Sequence, residues 1–289
     1  MRKPLFTGAC TALVTPFLNR KVNYPMAEQL ISRQIAAGIS AVVVAGTTGE
    51  SSTLSDDEKI ELFRRCKKHT GNACTIIAGT GSNSTEHAVE LGVAAEESGA
   101  DALLVVTPYY NKATPDGLIA HYLSIAHSVS IPIILYNVPS RTGVDIPISV
   151  YQRLSKIPNI IGVKEASNDI TKISRIKSAC ESDFTIWSGN DDQIVPAIAA
   201  GCSGVISVLS NLYPKETNTM CHTAILGDYN TAAALQRQFL PLIDLLFSEV
   251  NPIPVKAALK CMGFDCGECR LPLCKLSAEN LRKIEGYFA

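Results

Sequence analysis

The stretch Ile160-Ile161-Gly162-Val163-Lys164-Glu165 is followed by Ala166-Ser167-Asn168 and then by a helical pattern over residues 170–180. A short apolar run rich in isoleucine and valine is typical of a strand buried on both faces, as strands of parallel sheets are. A strand followed directly by a helix is half of a βαβ unit. The segment therefore predicts one strand–helix unit of a parallel sheet.

The same unit recurs from residue 7 to about residue 225. Apolar, β-branched runs predict strands over Ala9–Val14, Ala41–Ala45, Thr75–Ala78, Ala102–Val106, Ile131–Tyr136, Ile160–Lys164, Thr185–Ser188 and Gly204–Ser207. Segments of helical period predict helices over Tyr24–Ala37, Ser55–His69, Thr85–Ser98, Pro115–Ser128, Pro147–Ser155, Ile170–Cys180, Asp191–Ala200 and Tyr213–Leu226. Ser55 and Glu58 have the spacing of a capping box. Gly38, Gly99 and Gly201 stand where a left-handed residue ends a helix.

Strand–helix units with near-continuous apolar strands predict an α/β fold, a closed (β/α)8 TIM barrel with a small C-terminal helical domain. An open doubly wound sheet is the competing prediction from the pattern alone. Beyond residue 226 the alternation stops, and helices are predicted over Asp228–Phe247, Pro252–Met262 and Ser277–Gly286. We therefore predict a catalytic barrel over residues 1–226 and a helical domain over residues 227–289.

Composition narrows the class of protein. The 289 residues are 46 % hydrophobic, enough for a large core, and a net charge of −1 gives no basic surface for nucleic acid. The longest apolar stretches run to about ten residues, whereas a membrane-spanning helix needs about 20. The N-terminus lacks the unbroken apolar core of a signal peptide. We expect a soluble cytoplasmic protein without nucleic-acid or membrane partners.

Ten cysteines raise the question of disulfides or a metal site. Most lie singly in apolar segments, where a reduced thiol serves as a small apolar side chain. The exception is a C-x4-C-x2-C-x4-C cluster of Cys261, Cys266, Cys269 and Cys274. For this cluster a structural metal, a local disulfide and free thiols all remain open, because two pairs separated by a longer loop would signal zinc more strongly.

Lys164 has two interpretations. Strand alternation turns it to the same side as Gly162, whose missing side chain leaves room for it. A lysine at a strand end can simply extend its ammonium group into water. It can also be a desolvated amine that attacks a carbonyl and forms a Schiff base.

The residues at the other strand ends favour the second interpretation, because barrel chemistry collects at the C-terminal ends of strands. Each of these loops alone has an ordinary explanation, such as a common turn or a core tyrosine. None of the five histidines falls on a predicted strand end, and no carboxylate cluster suits a divalent metal. The polar loops are Gly46-Thr47-Thr48-Gly49-Glu50, Gly79-Thr80-Gly81-Ser82-Asn83, Thr107-Pro108-Tyr109-Tyr110-Asn111-Lys112, Tyr136-Asn137-Val138-Pro139-Ser140-Arg141-Thr142-Gly143 and Ser188-Gly189-Asn190-Asp191.

A lysine and a tyrosine at one barrel mouth, without metal ligands, fit imine chemistry on a keto acid. The lysine attacks, the tyrosine moves protons, and the hydroxyls and the arginine hold carboxylates. The amine must be neutral to attack, and burial or a neighbouring cation favours that form. We therefore predict a Schiff-base-forming lyase that uses no metal and no cofactor beyond the covalent imine through Lys164.

Four motifs resemble those of the dihydrodipicolinate synthase family, which belongs to the class I aldolase superfamily together with N-acetylneuraminate lyase. The resemblance covers essentially the whole chain. It implies condensation of pyruvate with L-aspartate 4-semialdehyde in diaminopimelate and lysine biosynthesis, by a homotetramer built as a dimer of dimers. The motifs are Gly46-Thr47-Thr48-Gly49-Glu50-Ser51, Thr107-Pro108-Tyr109-Tyr110-Asn111-Lys112, Tyr136-Asn137-Val138-Pro139-Ser140-Arg141-Thr142-Gly143 and Gly162-Val163-Lys164-Glu165.

The resemblance also implies catalytic roles. Lys164 would form the Schiff base with pyruvate, and Tyr136 would be the general acid and base. Thr47 would link Tyr136 to Tyr110 in a proton relay. Tyr110 would reach across a dimer interface into the site of a neighbouring subunit.

Substrate-binding roles follow in the same way. Thr48, with the backbone of Thr47 and Ile206, would bind the pyruvate carboxylate. Arg141 would hold the carboxylate of aspartate semialdehyde. The pocket near that substrate would be lined by Gly189 and Asn190.

Arg141 discriminates between branches of the superfamily. The sialic-acid lyase branch typically has Gly-Ser-Thr-Gly-Glu at the second strand end and lacks this arginine, so Thr47 and Arg141 favour the synthase. A related pyruvate-dependent aldolase of other substrate is the alternative. A barrel that had become a regulator or binding module would be expected to lack Lys164 or Tyr136, and both are present.

Feedback by lysine is expected to be weak or absent. Family members that lysine inhibits carry histidines at the positions of Asp56 and Lys59 and a glutamate at that of His87. Without that glutamate the effector's ammonium groups lose their acceptor. The remaining residues of the resembling allosteric site do match, and they are Ser51, Asn83 and Tyr109.

Overall fold

The computed structural model describes residues 3–289. Residues 1 and 2 lie outside it, and they belong both to the predicted barrel domain and to the N-terminal stretch considered as a signal peptide. Parallel strands form a closed barrel, and one small antiparallel hairpin lies beside it. The strands are β1 (Gly8–Ala12), β2 (Phe17–Leu18), β3 (Lys21–Val22), β4 (Ala41–Val44), β5 (Thr75–Gly79), β6 (Ala102–Val106), β7 (Ile133–Asn137), β8 (Ile160–Glu165), β9 (Thr185–Ser188) and β10 (Gly204–Ser207).

Closure of the sheet confirms the predicted TIM barrel and excludes the open sheet. Around the barrel the strands follow the order β1-β10-β9-β8-β7-β6-β5-β4. The first strand pairs with the last through Gly8 and Gly204, and with its other neighbour through Cys10 and Ala41. All these pairings are parallel, so the C-terminal ends of the strands meet at one mouth.

Helices cover the outside of the barrel and extend beyond it. They are α1 (Tyr24–Ala36), α2 (Asp56–Thr70), α3 (Thr85–Glu97), α4 (Pro115–Ser128), α5 (Pro139–Thr142), α6 (Ile148–Leu154), α7 (Ile170–Ala179), α8 (Ile194–Ala199), α9 (Pro214–Ile225), α10 (Tyr229–Leu246), α11 (Ile253–Cys261) and α12 (Ala278–Phe288). The capping box at Ser55 and Glu58 is present, with both reciprocal hydrogen bonds. Gly38 and Gly99 follow their helices with φ of 84° and 87°, as predicted.

Two apolar cores result from the alternation of strand side chains. One lies between the strands and the helices and includes Phe63 and Tyr151. The other fills the barrel and includes Tyr136, Trp187 and Ile206. Side chains that point inward near the C-terminal strand ends therefore lie on top of a packed interior, which is the base of the site.

The β2–β3 hairpin and the short helix α5 were not predicted from the sequence. The β2–β3 hairpin turns at Asn19 and Arg20, which both have positive φ, as both central residues of a type I′ turn do. Arginine is rare in that position, so the turn signal was weak. The helix α5 occupies four residues of the loop after β7, with Pro139 in its first turn.

The C-terminal segment consists of α10, α11 and α12, and α10 packs against α8 and α9. The predicted domain division after residue 226 falls in the turn between α9 and α10. Among residues 3–289, no helix combines the length and the apolar character needed to cross a membrane.

The C-terminal cysteines differ in exposure. Cys261 and Cys274 are exposed, Cys266 is buried and Cys269 is partly buried, and all four are free thiols. Burial raises the pKa of both the Cys266 and the Cys269 thiols to about 12, which disfavours the thiolate that metals and disulfide exchange require. Within the part of the chain that the structure describes, no three His, Cys, Asp or Glu side chains are grouped as metal ligands would be.

Candidate active site

Lys164 lies inside the barrel mouth, not in bulk water. It is 6 % exposed and forms no ion pair with any residue from 3 to 289. In register it stands between Tyr136 of β7 and Trp187 of β9. Its Nζ lies 4.5 Å from the centroid of the Tyr136 ring. A buried amine beside a tyrosine is an arrangement suited to nucleophilic attack on a carbonyl.

The room for Lys164 comes from Gly189, whereas the sequence had assigned that role to Gly162. A Cβ on Gly162 would lie 2.1 Å from the carbonyl oxygen of Thr185, so the neighbouring strand requires that glycine. A Cβ on Gly189 would lie 3.0 Å from Cε of Lys164. Gly189 thus lies directly against the lysine side chain.

Glu165 fixes the strand ends beside the site, on the outer face of the barrel. It follows Lys164, points to the opposite face of β8 and is 3 % exposed. Its carboxylate accepts hydrogen bonds from Asn137 Nδ2 at 2.9 Å and from Tyr151 Oη at 2.9 Å. Burial, with the Glu165 charge next to it, raises the pKa of the Tyr151 hydroxyl well above its ordinary value. The network joins the ends of β7 and β8 one residue beyond Tyr136 and Lys164, on the opposite face of the sheet.

The turn after β4 carries the two threonines. Thr48 is buried, and its Oγ1 accepts a hydrogen bond of 2.9 Å from Nδ2 of Asn251. Thr15 Oγ1 donates to the carbonyl oxygen of Gly49 at 2.7 Å, which fixes the next residue of the turn. The Thr48 hydroxyl is therefore held in one place at the barrel mouth.

A cavity of about 420 Å³ joins these groups. It is large enough for a small keto acid and a second substrate of similar size. Predicted site residues that line it are Thr47, Thr48, Tyr136, Arg141, Lys164, Gly189 and Asn190. Ile206 does not line it: it is 1 % exposed and belongs to the interior core below.

Arg141 and Asn251 meet at the rim of this cavity. Arg141 is exposed on α5, and its Nη2 donates a long hydrogen bond of 3.4 Å to the carbonyl oxygen of Asn251. The Oδ1 atom of Asn251 is buried and has no hydrogen-bond partner among the described residues. Buried polar atoms are usually paired, so this unpaired acceptor beside Arg141 is unusual.

Tyr110 stands apart from the other predicted catalytic residues. It is 89 % exposed with a φ of 75°, and it lines neither the cavity at Lys164 nor the one next to it. A tyrosine held outward in left-handed backbone makes little contact within its own chain.

A second cavity of about 570 Å³ adjoins the first, and Thr47, Tyr136 and Arg141 line both. Five of the residues expected from the resembling allosteric site line it, namely Ser51, Asp56, Lys59, His87 and Tyr109. Asn83 is absent from this lining, and its carbonyl oxygen accepts a hydrogen bond from Asn111.

Asp56 is already paired within this second cavity. It accepts hydrogen bonds from Lys59 Nζ at 3.2 Å and pairs with His87 Nε2 at 2.8 Å. Burial alone would raise the pKa of Asp56, but the hydrogen bonds from His87 and Lys59 outweigh it and lower that pKa. The carboxylate is therefore committed to neighbours within the chain.

The sequence matches a known protein family. Residues 5–287 match the model of the dihydrodipicolinate synthetase family. The chain belongs to that family. It is therefore an enzyme, a lyase, and the predicted resemblance is confirmed.

Individual members of the dihydrodipicolinate synthetase family are similar over nearly their full length. A 4-hydroxy-tetrahydrodipicolinate synthase of Acetivibrio thermocellus is 48 % identical over 99 % of this chain and 97 % of its own. A chloride-inhibited dihydrodipicolinate synthase of Acinetobacter baumannii, solved with pyruvate, is 41 % identical with a TM-score of 0.94 and 98 % of each chain covered. A family structure from Cyanidioschyzon merolae with lysine bound is 39 % identical with a TM-score of 0.95, covering 98 % of this chain and 97 % of its own.

Reasoning from the sequence missed two residues of this family member's site. Glu165 follows Lys164 directly, and an acidic residue in a buried strand already signals a hydrogen-bonded network. Asn251 lies beyond the barrel in Asn251-Pro252-Ile253-Pro254, where no strand-end argument applies. Only the fold brings it back to Thr48.

Proposed function

We propose that the protein acts as a 4-hydroxy-tetrahydrodipicolinate synthase, condensing pyruvate with L-aspartate 4-semialdehyde for diaminopimelate and lysine biosynthesis. One observation carries the proposal: a buried lysine without an ion-pair partner among the described residues shares a cavity with a tyrosine, a fixed threonine hydroxyl and an arginine. The family and its relatives' names support it.

The first step is imine formation. Lys164 Nζ attacks the keto carbon of pyruvate, and water leaves as the carbon–nitrogen double bond forms. Tyr136 supplies and removes the protons, through a relay with Thr47 and a Tyr110 from a neighbouring subunit. The Thr48 hydroxyl, with the backbone of Thr47, holds the carboxylate; Ile206, which the resemblance also implied, lies below the cavity.

The second step forms the carbon–carbon bond. Loss of a methyl proton converts the imine to an enamine, whose terminal carbon attacks the aldehyde of the second substrate. Arg141 pairs with that substrate's carboxylate, and Gly189 and Asn190 line its pocket. The substrate's own amine then attacks the imine carbon, which releases Lys164 and closes the ring.

We further propose the cofactor requirement, the assembly and the location of the protein. The covalent imine through Lys164 provides the electron sink, so the reaction needs no metal and no further cofactor. A homotetramer, as a dimer of dimers, would place Tyr110 against a second copy, and its outward position supports such a contact. A cytoplasmic location would suit an enzyme of amino-acid biosynthesis.

Borohydride reduction in the presence of pyruvate, followed by peptide mass mapping, tests the mechanism. We expect one reduced pyruvate adduct, on Lys164, and none in a Lys164→Arg variant that keeps its fold. Lys172→Arg is the matched control, because Lys172 is also 6 % exposed but pairs with Asp145 and does not line the cavity. An adduct elsewhere, or none, refutes imine formation at Lys164.

A related pyruvate-dependent aldolase, similar to N-acetylneuraminate lyase, is the second candidate. Arg141 at the cavity rim favours the carboxylate of aspartate semialdehyde over a sugar. Turnover of pyruvate with aspartate semialdehyde, measured against N-acetylmannosamine, separates the two. A higher kcat/KM with N-acetylmannosamine than with aspartate semialdehyde would show that the sugar, and not the semialdehyde, is the substrate.

A further inference from the structure

Glu50 joins the active-site turn to the C-terminal segment of the chain. Its Oε1 pairs with Lys256 Nζ at 2.6 Å, and the two side chains are only 0 % and 3 % exposed. Its Oε2 accepts a hydrogen bond of 2.8 Å from the backbone N–H of Arg270. A fully buried ion pair therefore links the loop after β4 with α11 and the segment that follows it.

The backbone of Glu50 is held in an unfavourable conformation. Its φ is 58°, in the left-handed region that non-glycine residues rarely adopt. In this conformation its N–H donates to the carbonyl oxygen of Thr47, and the N–H of Ser51 donates to that of Gly46. Such a conformation persists only where surrounding contacts fix it. For Glu50 those contacts come from the buried carboxylate, and the turn they close carries Thr47 and Thr48.

Lys256 is itself fixed on its other side. Its Nζ lies 4.3 Å from the centroid of the Phe17 ring, and the Arg270 guanidinium carbon lies 4.4 Å from the same centroid. The ammonium group is thus placed between a carboxylate and an aromatic face. Lys256 extends from α11 and is buried, so its ammonium group is held in one position and does not move freely at the surface.

The start of α11 touches the same turn a second time. Asn251, two residues before the helix, donates to Thr48 Oγ1, while Lys256 reaches Glu50 from within the helix. Contacts across 203 and 206 residues of sequence therefore fix two neighbouring positions of one turn. One helical segment sets both the hydroxyl and the backbone of the carboxylate-binding turn.

We propose that Lys256 is a positioning residue, which acts through Glu50 to hold the Thr47–Thr48 turn in the geometry that binds the carboxylate of the keto acid. The inference rests on the proposed function, because pyruvate supplies that carboxylate. A buried ion pair is weak evidence for stability, since desolvation offsets much of its attraction. The location of the Glu50–Lys256 pair against the active site is explained instead by the conformation that the pair imposes on the Thr47–Thr48 turn.

Glu50→Gln and Lys256→Met, made singly and together, separate positioning from stability. Each single change leaves one buried group without its partner, so both the melting temperature and the affinity should fall. In the double variant no buried charge is left unpaired, and the melting temperature should recover. The KM for pyruvate should nevertheless stay raised by about ten-fold, because the turn has lost what holds it.

Glu50→Asp provides a second variant that keeps the charge but withdraws it by one methylene. It should raise the KM for pyruvate several-fold and lower the melting temperature less than Glu50→Gln does, because the negative charge is kept. Lys67→Met is the control, because Lys67 pairs with Asp101 at 2.7 Å at the opposite end of the barrel strands. It should leave the KM for pyruvate unchanged.

A KM for pyruvate within two-fold of wild type in both Glu50→Asp and the double variant overturns the inference and leaves the pair a purely structural one. Borohydride trapping of wild-type protein with pyruvate keeps the two claims apart. If wild type forms no adduct at Lys164, the proposed function fails. If wild type forms it and the variants form it at unchanged pyruvate concentrations, only the role of Lys256 fails.

Discussion

Gly189 contacts Lys164 so closely that a single added methyl group would reach it. A Cβ at position 189 would lie 3.0 Å from Cε of Lys164 and 2.6 Å from Cβ of Ala166. The side-chain direction of Lys164 therefore depends on the absence of a side chain at Gly189, the residue that follows β9. Side chains in a packed barrel mouth have few other directions available.

Gly189→Ala should displace the Lys164 amine and lower kcat. Misplacement of a reacting group by about 1 Å can cost roughly 100-fold in rate, so we expect a loss of roughly 10- to 100-fold in kcat with the fold retained. Steady-state kinetics and circular dichroism measure the two effects. Gly286→Ala is the matched control, because a Cβ there has no atom within 4 Å. Full activity in Gly189→Ala would show that the contact does not orient the lysine.

Thr48→Val should weaken pyruvate binding more than Thr48→Ser. Valine keeps the shape but removes the hydroxyl that accepts from Asn251. It therefore leaves a buried amide N–H unpaired, a loss of about 1–3 kcal/mol. We expect the KM for pyruvate to rise about ten-fold or more in the valine variant and to change little in the serine variant. Equal KM values would exclude the hydroxyl from carboxylate binding.

Lysine should neither bind tightly to the second cavity nor inhibit the enzyme. Asp56 is occupied by Lys59 and His87, and both partners would meet the effector's ammonium groups with nitrogen instead of carboxylate oxygen. Isothermal titration calorimetry and activity with millimolar lysine test this. Micromolar binding with inhibition would contradict it. Adding the residues of inhibited relatives, as Asp56→His, Lys59→His and His87→Glu together, should create or strengthen lysine binding.

Tyr110 should act in the site of a neighbouring subunit. A mixture of Tyr110→Phe and Lys164→Arg chains, each nearly inactive, would then contain dimers with one complete site. Random re-association of equal amounts should restore about a quarter of wild-type activity, since half the dimers are mixed and one site in each is complete. Mixing without re-association is the control. No recovery, despite mixed dimers seen by native mass spectrometry, would place Tyr110 outside the shared site.

Glu58 should contribute stability that disappears in acid. The hydrogen bonds from Arg270, at 2.6 Å each, outweigh partial burial and lower the pKa of Glu58 in the folded state. The stabilisation is therefore present above the unfolded pKa of about 4.3 and is lost as the pH falls through the lower folded value. Glu58→Gln should lower the melting temperature at pH 7, by an amount worth about 1 kcal/mol.

The same difference in melting temperature should be smaller at pH 4 than at pH 7, because the unfolded carboxyl is then largely protonated. Differential scanning calorimetry of wild type and Glu58→Gln at both values measures it. Glu90→Gln, at an exposed position of α3, is the control for loss of one surface carboxylate. A constant difference between the two values would assign the effect of Glu58 to packing.

The barrel was predictable because its signal is repeated. The barrel strands are largely apolar, as β6 (Ala102–Val106) is throughout, and the helices that follow them have their own period and end signals. The hairpin at Asn19 and Arg20 was not predicted because its turn lacks the usual glycine. Repeated strand–helix units predict a barrel even where the sequence signal for one strand or helix is weak. The short hairpin occurs once, so no repeat strengthens its signal.

The candidate site was predictable where it depends on strand ends. Lys164, Tyr136 and the threonine turn meet because parallel strands end at one mouth. Asn251 and Lys256 were not predictable, since they contact the Thr48–Glu50 turn from the segment that follows the barrel. The role of Gly189 was assigned to Gly162 because alternation along one strand says nothing about the side chains of the next strand.

The long sequence separation between Glu50 and Lys256 has a consequence for synthesis of the chain. A nascent polypeptide released after β10 would contain Lys164, Tyr136 and the threonines, yet it would lack the residue that neutralises the Glu50 carboxylate. Contacts of such separation form late and slow the approach to the native state. The ribosome therefore synthesises Lys164 well before the C-terminal segment that fixes the Thr47–Thr48 turn. A chain that ended before Lys256 would keep the nucleophilic amine but would lack the contact that orders the carboxylate-binding turn.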